Sequence, residues 1–189
     1  DKNRSFYATT SPSMDILISS NLERLLFHLC GDDDSRVRDW MKLLSEKGKY
    51  EVEDDIKEKL YTLFAAGCCD DEATKQTIAK TYKNGYLCDT HTAVAVNVFE
   101  AYKSKSGDET PTVVASTANP YKFSAAVLKA VKGEAPADAN EFEQVELLID
   151  ETGEPCPNQL STLKNKTPRF TDCCNKEDME EKVYAMLGI

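Results

Sequence analysis

Apolar residues recur at helical spacing through much of the chain, and a glycine follows each of the clearest runs. Four leucines within residues 22–29 occupy positions i, i+3, i+4 and i+7, and Gly31 follows them. The same spacing repeats over residues 37–44 and stops before Gly48. One face of an α-helix repeats every 3.6 residues, and glycine favours the left-handed turn that ends a helix. The pattern therefore predicts a pair of neighbouring helices.

More helices are predicted farther along the chain, at about 71–83, 121–131, 141–150 ("EFEQVELLID") and 176–187 ("KEDMEEKVYAML"). Residues 152–172 are predicted to be mostly irregular. The segment "HTAVAVNVFEAY" differs from the others, because its apolar residues cover nearly all faces of a helix. Such a helix is expected to be buried on most sides.

A single β-strand is predicted at Thr112 to Ser116, where a β-branched run ends in hydroxyl side chains and then Asn119-Pro120. A strand needs hydrogen-bonded neighbours. The segments "DILIS" (15–19) and "LYTLFA" (60–65) are candidates, and residues outside this chain are the other source. Helices with one strand between them predict a helix-rich α/β fold with few strands.

Composition excludes several classes of function. The chain has 189 residues, of which 41% are hydrophobic and 30% charged, and this is enough for one well-cored domain. A formal net charge of −10 without any basic run argues against nucleic acid as a partner. No apolar stretch approaches the roughly 18 residues that suggest a membrane span, so no membrane partner is expected.

Seven cysteines occur without a C-x-x-C motif, and four of them form two directly adjacent pairs. That spacing suits neither a zinc site nor an ordinary disulfide framework. Reduced thiols in the cytoplasm are the plain interpretation. The chain also begins without methionine, and we expect it to be a piece of a longer protein.

Other chemical signatures are missing or weak. The eight glycines are spread singly, which excludes a glycine-rich phosphate-binding loop within this chain. Three consecutive aspartates, 32–34, are explained more simply as a helix start than as a metal site, and no metal is expected. No serine or cysteine stands in a recognisable nucleophile motif.

Two places remain as candidate site residues, each with two interpretations. His91 is placed at the first turn of the predicted buried helix, where it either packs or meets a ligand. Ser116 and Thr117 either begin a turn that caps the next helix or contact a ligand. The second interpretation rests on position, because open α/β sheets bind ligands at the carboxyl ends of their strands.

Three long segments resemble consecutive blocks of one enzyme family. They are "SPSMDILISSNLERLLFHL" (11–29), "GYLCDTHTAVAV" (85–96) and "VVASTANPYKF" (113–123). In this order and at this spacing they closely resemble threonine synthase, and the similarity weakens beyond residue 123. The resemblance implies the C-terminal portion of a pyridoxal-phosphate enzyme with the tryptophan-synthase-β-like fold, fold type II.

The resemblance also implies an activity and a cofactor contact. Such enzymes convert O-phosphohomoserine and water to L-threonine and phosphate by a β,γ-replacement, with pyridoxal 5'-phosphate as electron sink. Thr117 matches the family threonine that hydrogen-bonds the pyridine nitrogen, and the adjacent Ser116 is a second candidate for binding the cofactor. Four more substrate-pocket candidates are chosen from the matched blocks: Asn21, Arg24, His91 and Asn119.

Departures from the family pattern leave some roles open. Asn119 stands where the family usually has histidine, and Thr90 where it usually has proline. The lysine block and the glycine-rich loops of the family have no counterpart here. We therefore expect no catalytic residue in this chain, no activity from it alone, and the missing N-terminal part of the same protein as its partner.

Two further expectations complete the sequence-based account. Residues 1–133 are predicted to be part of the cofactor-binding large domain with a helical insertion, and residues 134–189 a C-terminal helical extension. The competing hypothesis is a non-catalytic binding or interaction domain that keeps this fold and has lost the chemistry.

Overall fold

A computed structural model describes all 189 residues and consists of helices joined by irregular segments, without a β-strand. The chain divides into two compact units, Asp1–Cys156 and Pro157–Ile189. The first unit holds every buried residue of the chain.

Seven α-helices form the first unit: α1 Ser20–Leu29, α2 Asp34–Lys47, α3 Asp54–Leu63, α4 Asp71–Lys83, α5 Thr90–Ser106, α6 Ser124–Lys132 and α7 Glu141–Thr152. The second unit contains α8 Asn158–Ser161 and α9 Met179–Leu187. Short 3-10 helices occur at Pro12–Met14, Pro120–Phe123, Leu163–Asn165 and Lys176–Asp178. The helices predicted near 22–29, 37–44, 71–83, 121–131, 141–150 and 176–187 are confirmed.

Helices α1, α2 and α3 enclose the first hydrophobic core, which is built on Leu26, Val37, Trp40 and Ile56. The prediction of a strand at 60–65 is wrong, because residues 60–63 complete α3. Ile56, Leu60 and Leu63 repeat at i, i+4 and i+7, so Ile56 and Leu60 are turned toward α1 and α2. The helical period becomes clear only when Ile56 is included, because residues 60–65 alone form one short apolar run.

Ion pairs of Arg36 link α2 to the start of α3. Its guanidinium donates to Glu53 Oε2 at 2.9 Å and to Asp55 Oδ1 at 3.1 Å, and it lies 5.4 Å from the centre of the Trp40 ring. The hydrogen bond from Arg36 lowers the pKa of both carboxyl groups below their ordinary values. The ionised carboxylates therefore favour the folded chain.

Helices α4, α5, α6 and α7 form the second half of this unit. Helix α4 packs against both α5 and α6, and α6 packs against α7. Their contacts bury Ile78, Ala93, Val127, Leu128 and Leu148 almost completely. Gly67 lies against α5 so closely that an added Cβ would stand 2.7 Å from Val98 Cγ1, which explains a glycine here.

The strand predicted at Thr112 to Ser116 is absent. The predicted helix-rich character is confirmed, but the few strands expected of this portion of an α/β fold do not form within these 189 residues. The segment has no regular secondary structure and no paired neighbour, and Val113 is 93% exposed. Residues 15–19, the other predicted strand, are also irregular. A β-strand depends on a neighbour that takes up its backbone hydrogen bonds, and no segment of this chain lies in that position.

Helix α5 is less buried than its composition indicates. Thr90, Thr92 and Ala93 at its beginning are buried, whereas Ala95 is exposed and most apolar residues that follow are half-buried. Within this chain, α4 covers one side of the helix. The expectation of burial on most sides is therefore not met by these residues alone.

The second unit is small, and every large apolar side chain of α9 is exposed. In residues 152–172, predicted to be irregular, the structure has only the end of α7, α8 and one 3-10 turn. None of the seven cysteines of the chain forms a disulfide. No helix has both the length and the apolar character needed to cross a membrane.

Ile56→Ala tests the first core. We expect it to lower the free energy of unfolding by about 2–5 kcal/mol, because it leaves a cavity among α1, α2 and α3. Leu63→Ala is the control on the same helix, since Leu63 is 65% exposed, and it should change stability by less than about 0.5 kcal/mol. Urea unfolding measures both, and equal losses would contradict this packing.

Arg36→Met tests the ion pairs of α2 and α3. Lowered carboxyl pKa values stabilise the folded chain above the ordinary values of 4.5 for Glu53 and 3.8 for Asp55, and that contribution is lost as the pH falls. Between about pH 5 and pH 3 the wild-type chain should lose more stability than the variant. Lys42→Met, which removes an exposed charge from α2, should keep the wild-type slope. If the free energy of unfolding fell with pH at the same slope in all three chains, the ion pairs of Arg36 would not contribute to stability.

Candidate functional site

A cleft of ≈ 540 Å³ lies where three segments of the first unit meet. Its walls come from the loop 85–87 before α5, from residues 116–122, and from residues 154–155 after α7. Tyr121 closes one side, where its buried hydroxyl donates to the Glu154 carbonyl at 2.6 Å. Burial raises the pKa of Tyr121, so the hydroxyl keeps the proton that it donates.

Asp89 anchors the beginning of α5 beside this cleft. Its side chain is completely buried and caps the helix by accepting from the backbone N–H of His91 at 2.8 Å and of Thr92 at 3.4 Å. The Thr92 hydroxyl donates to the other carboxylate oxygen. A buried carboxylate is stable only when such donors replace its water, and the helix N-terminus adds a favourable dipole.

The end of the unpaired segment 112–116 is tied to this helix start through Ser116. Its Oγ lies 3.0 Å from Thr92 Oγ1, and the Tyr86 hydroxyl donates to Ser116 Oγ at 3.0 Å. Tyr86 is about half exposed and lines the cleft. Residues from two loops and one helix therefore share one line of hydrogen bonds.

Thr117 follows Ser116 in the wall of the cleft. Its side chain is exposed and its hydroxyl makes no hydrogen bond within the protein. The helix start after Pro120 is capped by Asn119, whose Oδ1 accepts from the backbone N–H of Tyr121 at 3.0 Å. Neither Ser116 nor Thr117 caps that helix, so the capping interpretation of these two hydroxyls is wrong.

Both ring nitrogens of His91 are engaged inside the protein. The Ser13 backbone N–H donates to Nε2 at 3.3 Å, which assigns the proton to Nδ1, and Nδ1 lies 3.1 Å from Asp89 Oδ1. The ring also packs on Phe123, with 4.8 Å between centroids. His91 thus links α5 to the segment before α1.

That segment is held at several points, which explains the residue types of its "TTSPSMD" stretch. Asp15 accepts from the backbone N–H and the hydroxyl of Thr9, at 2.6 and 2.8 Å. Asp71 at the start of α4 accepts in the same way from Thr10, at 2.9 Å each. The segment thereby joins the two halves of the first unit.

The remaining pocket candidates lie elsewhere. Asn21 and Arg24 are exposed neighbours on α1, where Arg24 donates to Asn21 Oδ1. No hydrogen bond or ion pair connects them to Ser116, Thr117 or His91. The cleft brings together Ser116, Thr117 and Asn119. His91 does not line it and is connected to Ser116 only through Asp89 and Thr92, and Asn21 and Arg24 lie outside the group.

Sequence reasoning missed Asp89, Thr92 and Tyr86 as parts of this site. An acidic residue directly before a predicted helix is a signal for Asp89, since aspartate is a favoured N-cap. Thr92 and Tyr86 carry no local signal, because they meet Ser116 across 24 and 30 residues of sequence.

Solved structures with this fold define its class. The chain is similar to the crystal structure of threonine synthase from yeast, with a TM-score of 0.76 and 30% identity over 98% of this chain and 38% of that one. It is also similar to PLP-bound threonine synthase from Brucella melitensis, with a TM-score of 0.68 and 31% identity over 95% of this chain and 34% of that one. The helices are thus arranged as in one part of an enzyme of this class.

Sequence comparison points to the same family. Residues 92–183 match the family model described as "Threonine synthase, C-terminal". The curated threonine synthase of Pseudomonas aeruginosa is 41% identical over 69% of this chain, and that of Saccharomyces cerevisiae is 37% identical over 84% of it. Residues 92–183 are accordingly a threonine synthase C-terminal region. The matches span only 28% and 32% of those two relatives.

Asp89→Ala tests the anchor of the site. We expect it to destabilise the chain by about 2–4 kcal/mol, since it removes a helix cap and leaves a buried donor unpaired. Asp70→Ala is the matched control, because Asp70 caps α4 at an exposed position, and a loss of about 1 kcal/mol is expected. Equal losses in thermal or urea unfolding would contradict the buried network around Asp89.

Proposed function

We propose that these residues belong to a cytoplasmic, pyridoxal-phosphate-dependent threonine synthase, a lyase of threonine biosynthesis. The reaction converts O-phosphohomoserine and water to L-threonine and phosphate by a β,γ-replacement. The family match over residues 92–183 supports this assignment, as do relatives and solved structures that bear this enzyme's name.

The observation that carries the proposal is the Thr117 hydroxyl. It is exposed in the wall of the cleft and makes no hydrogen bond within the protein, while the adjacent Ser116 is bonded to Thr92. A pyridine nitrogen needs one donor, and a neutral hydroxyl can supply it without transferring a full proton. The residues present therefore fit one edge of pyridoxal phosphate.

When bound, the cofactor supplies an electron sink for the carbanions that the reaction requires. Thr117 would moderate that sink by donating a hydrogen bond to the ring nitrogen, because a neutral hydroxyl stabilises the charge of a protonated ring less than a carboxylate does. Ser116 would hold the position of Thr117. Lys122 and Glu154 are the charged side chains that line the cleft, and they would face the polar groups of a bound molecule.

These residues would supply only part of the active site. They include no glycine-rich phosphate loop and no block that resembles the family's lysine block. We therefore expect the 189-residue chain alone to be inactive. The half-buried apolar side of α5 and the exposed Val113 are surfaces that the remainder of such an enzyme would cover.

The other sequence-based roles remain proposals. Asn119 would shape the pocket from the wall of the cleft and His91 from a position outside that wall, and Asn21 and Arg24 would approach substrate from α1. The division into 1–133 and 134–189 would describe domains of the whole enzyme; within this chain, α7 packs on α6 across that boundary.

A chimera tests the proposed function. Yeast threonine synthase, with the part that this chain matches replaced by residues 1–189, should form threonine and phosphate from O-phosphohomoserine. Thr117→Val in the chimera should lower the rate roughly 2- to 10-fold, the size expected for one hydrogen bond between neutral groups. Thr112→Val is the control in the same segment and should keep the rate, since its hydroxyl bonds only the Thr110 carbonyl.

The 189-residue chain alone should give no threonine and no saturable visible absorbance with pyridoxal phosphate. Activity of the isolated chain would contradict its need for further residues. A folded chimera that binds neither cofactor nor substrate would favour the non-catalytic binding domain instead.

A further inference from the structure

We propose that four side chains form a hydrogen-bond chain of fixed direction, the hydroxyl relay. In it Tyr86 donates to Ser116, Ser116 donates to Thr92, and Thr92 donates to Asp89. Ser116 is then a positioning residue, and Thr117 is the neighbouring hydroxyl that is free to donate to a ligand. The identity of that ligand as pyridoxal phosphate rests on the proposed function, whereas the relay itself does not.

The direction is set at Asp89. Its carboxylate accepts from the backbone N–H groups of His91 and Thr92, from His91 Nδ1 and from the Thr92 hydroxyl. Oδ1 faces the three nitrogen donors, while Oδ2 is the oxygen that accepts from the Thr92 hydroxyl, and an ionised carboxylate can only accept. The single proton of Thr92 Oγ1 therefore points to Asp89.

The remaining two steps follow from the number of protons available. Thr92 Oγ1 has used its proton, so across the 3.0 Å contact Ser116 must be the donor. Ser116 has then used its own proton, so across the next 3.0 Å contact Tyr86 must be the donor. Tyr86 consequently presents only oxygen lone pairs to the cleft.

This assignment separates the roles of two adjacent hydroxyls. Ser116 can donate to a ligand only by giving up its bond to Thr92, while Thr117 makes no bond that would have to break. The relay also attaches the end of an otherwise unpaired segment to the buried start of α5. Thr117 is thereby held at one place in the cleft wall.

Simple packing is the competing explanation, and the two make opposite predictions for Thr92. Valine keeps the shape of threonine and removes the hydroxyl. Serine keeps the hydroxyl and removes the methyl group. The relay therefore requires that serine replace Thr92 and that valine fail, whereas packing requires the reverse.

Nuclear magnetic resonance of the 189-residue chain can measure the effects of these two Thr92 variants without a cofactor. The Cζ carbon of Tyr86, identified by its disappearance in Tyr86→Phe, reports the hydrogen bond two steps from Thr92. In Thr92→Val its resonance should shift and the backbone at 116–118 should become more mobile, while Thr92→Ser should resemble the wild type. Thr112→Val is the control outside the relay and should leave Tyr86 unchanged. If Thr92→Val left the Tyr86 resonance and the backbone at 116–118 unchanged while Thr92→Ser altered them, the relay would be wrong.

A double-mutant cycle adds a thermodynamic test. Thr92→Val and Ser116→Ala remove the same hydrogen bond, so their effects on the unfolding equilibrium constant should not multiply. The double variant should fall short of the product of the single effects by about fivefold, the size of one hydrogen bond. Effects that multiply would show that Ser116 and Thr92 are not coupled, and the relay would be wrong.

Cofactor affinity of the chimera tests the division of roles. Thr117→Val should weaken binding of pyridoxal phosphate more than Ser116→Ala does. An equal or greater loss from Ser116→Ala would overturn the assignment of Ser116 as a positioning residue. If the chimera binds no cofactor, the proposed function fails, and resonance and unfolding data on the short chain still decide the relay.

Discussion

The buried carboxylate of Asp89 is the interaction on which the site depends. It caps α5, orients His91 and accepts a hydrogen bond from the Thr92 hydroxyl, and it is completely buried. A charge in this position is tolerable only while every donor stays in place. The position of the residues around it is therefore tied to the start of one helix.

Two consequences reach beyond the immediate neighbours of Asp89. Through His91 and Ser13, the helix start is connected to the segment that precedes α1, so both halves of the first unit meet there. Through Thr92 and Ser116, it is connected to the segment 112–116, which has no strand partner. Side-chain hydrogen bonds thus hold a cleft wall that a β-sheet would ordinarily hold.

How much the sequence foretold depended on the range of the forces involved. Helices α1, α2 and α4 were predictable because apolar period, acidic caps and terminal glycines act within a few residues. The strand at Thr112 to Ser116 was not, because β-branched composition reports a preference and pairing requires a neighbour. Helix α3 was not predictable from residues 60–65 alone, because its helical period becomes visible only when Ile56 is included.

The site shows the same limit. The hydroxyls of Ser116 and Thr117 stood out by position and by resemblance to threonine synthase. The sequence does not show that Ser116 is hydrogen-bonded and Thr117 is not, because the partners of Ser116, Thr92 and Tyr86, are distant in sequence. Asn21 and Arg24 share a conspicuous block with Ser13, yet the fold places only Ser13 beside His91.

The most direct test of this account is a crystal structure of the chimera with pyridoxal phosphate bound. We expect Thr117 Oγ1 at about 2.7–3.2 Å from the pyridine nitrogen, with Ser116 still bonded to Thr92. A Ser116 hydroxyl on the ring nitrogen, with its bond to Thr92 broken, would contradict it.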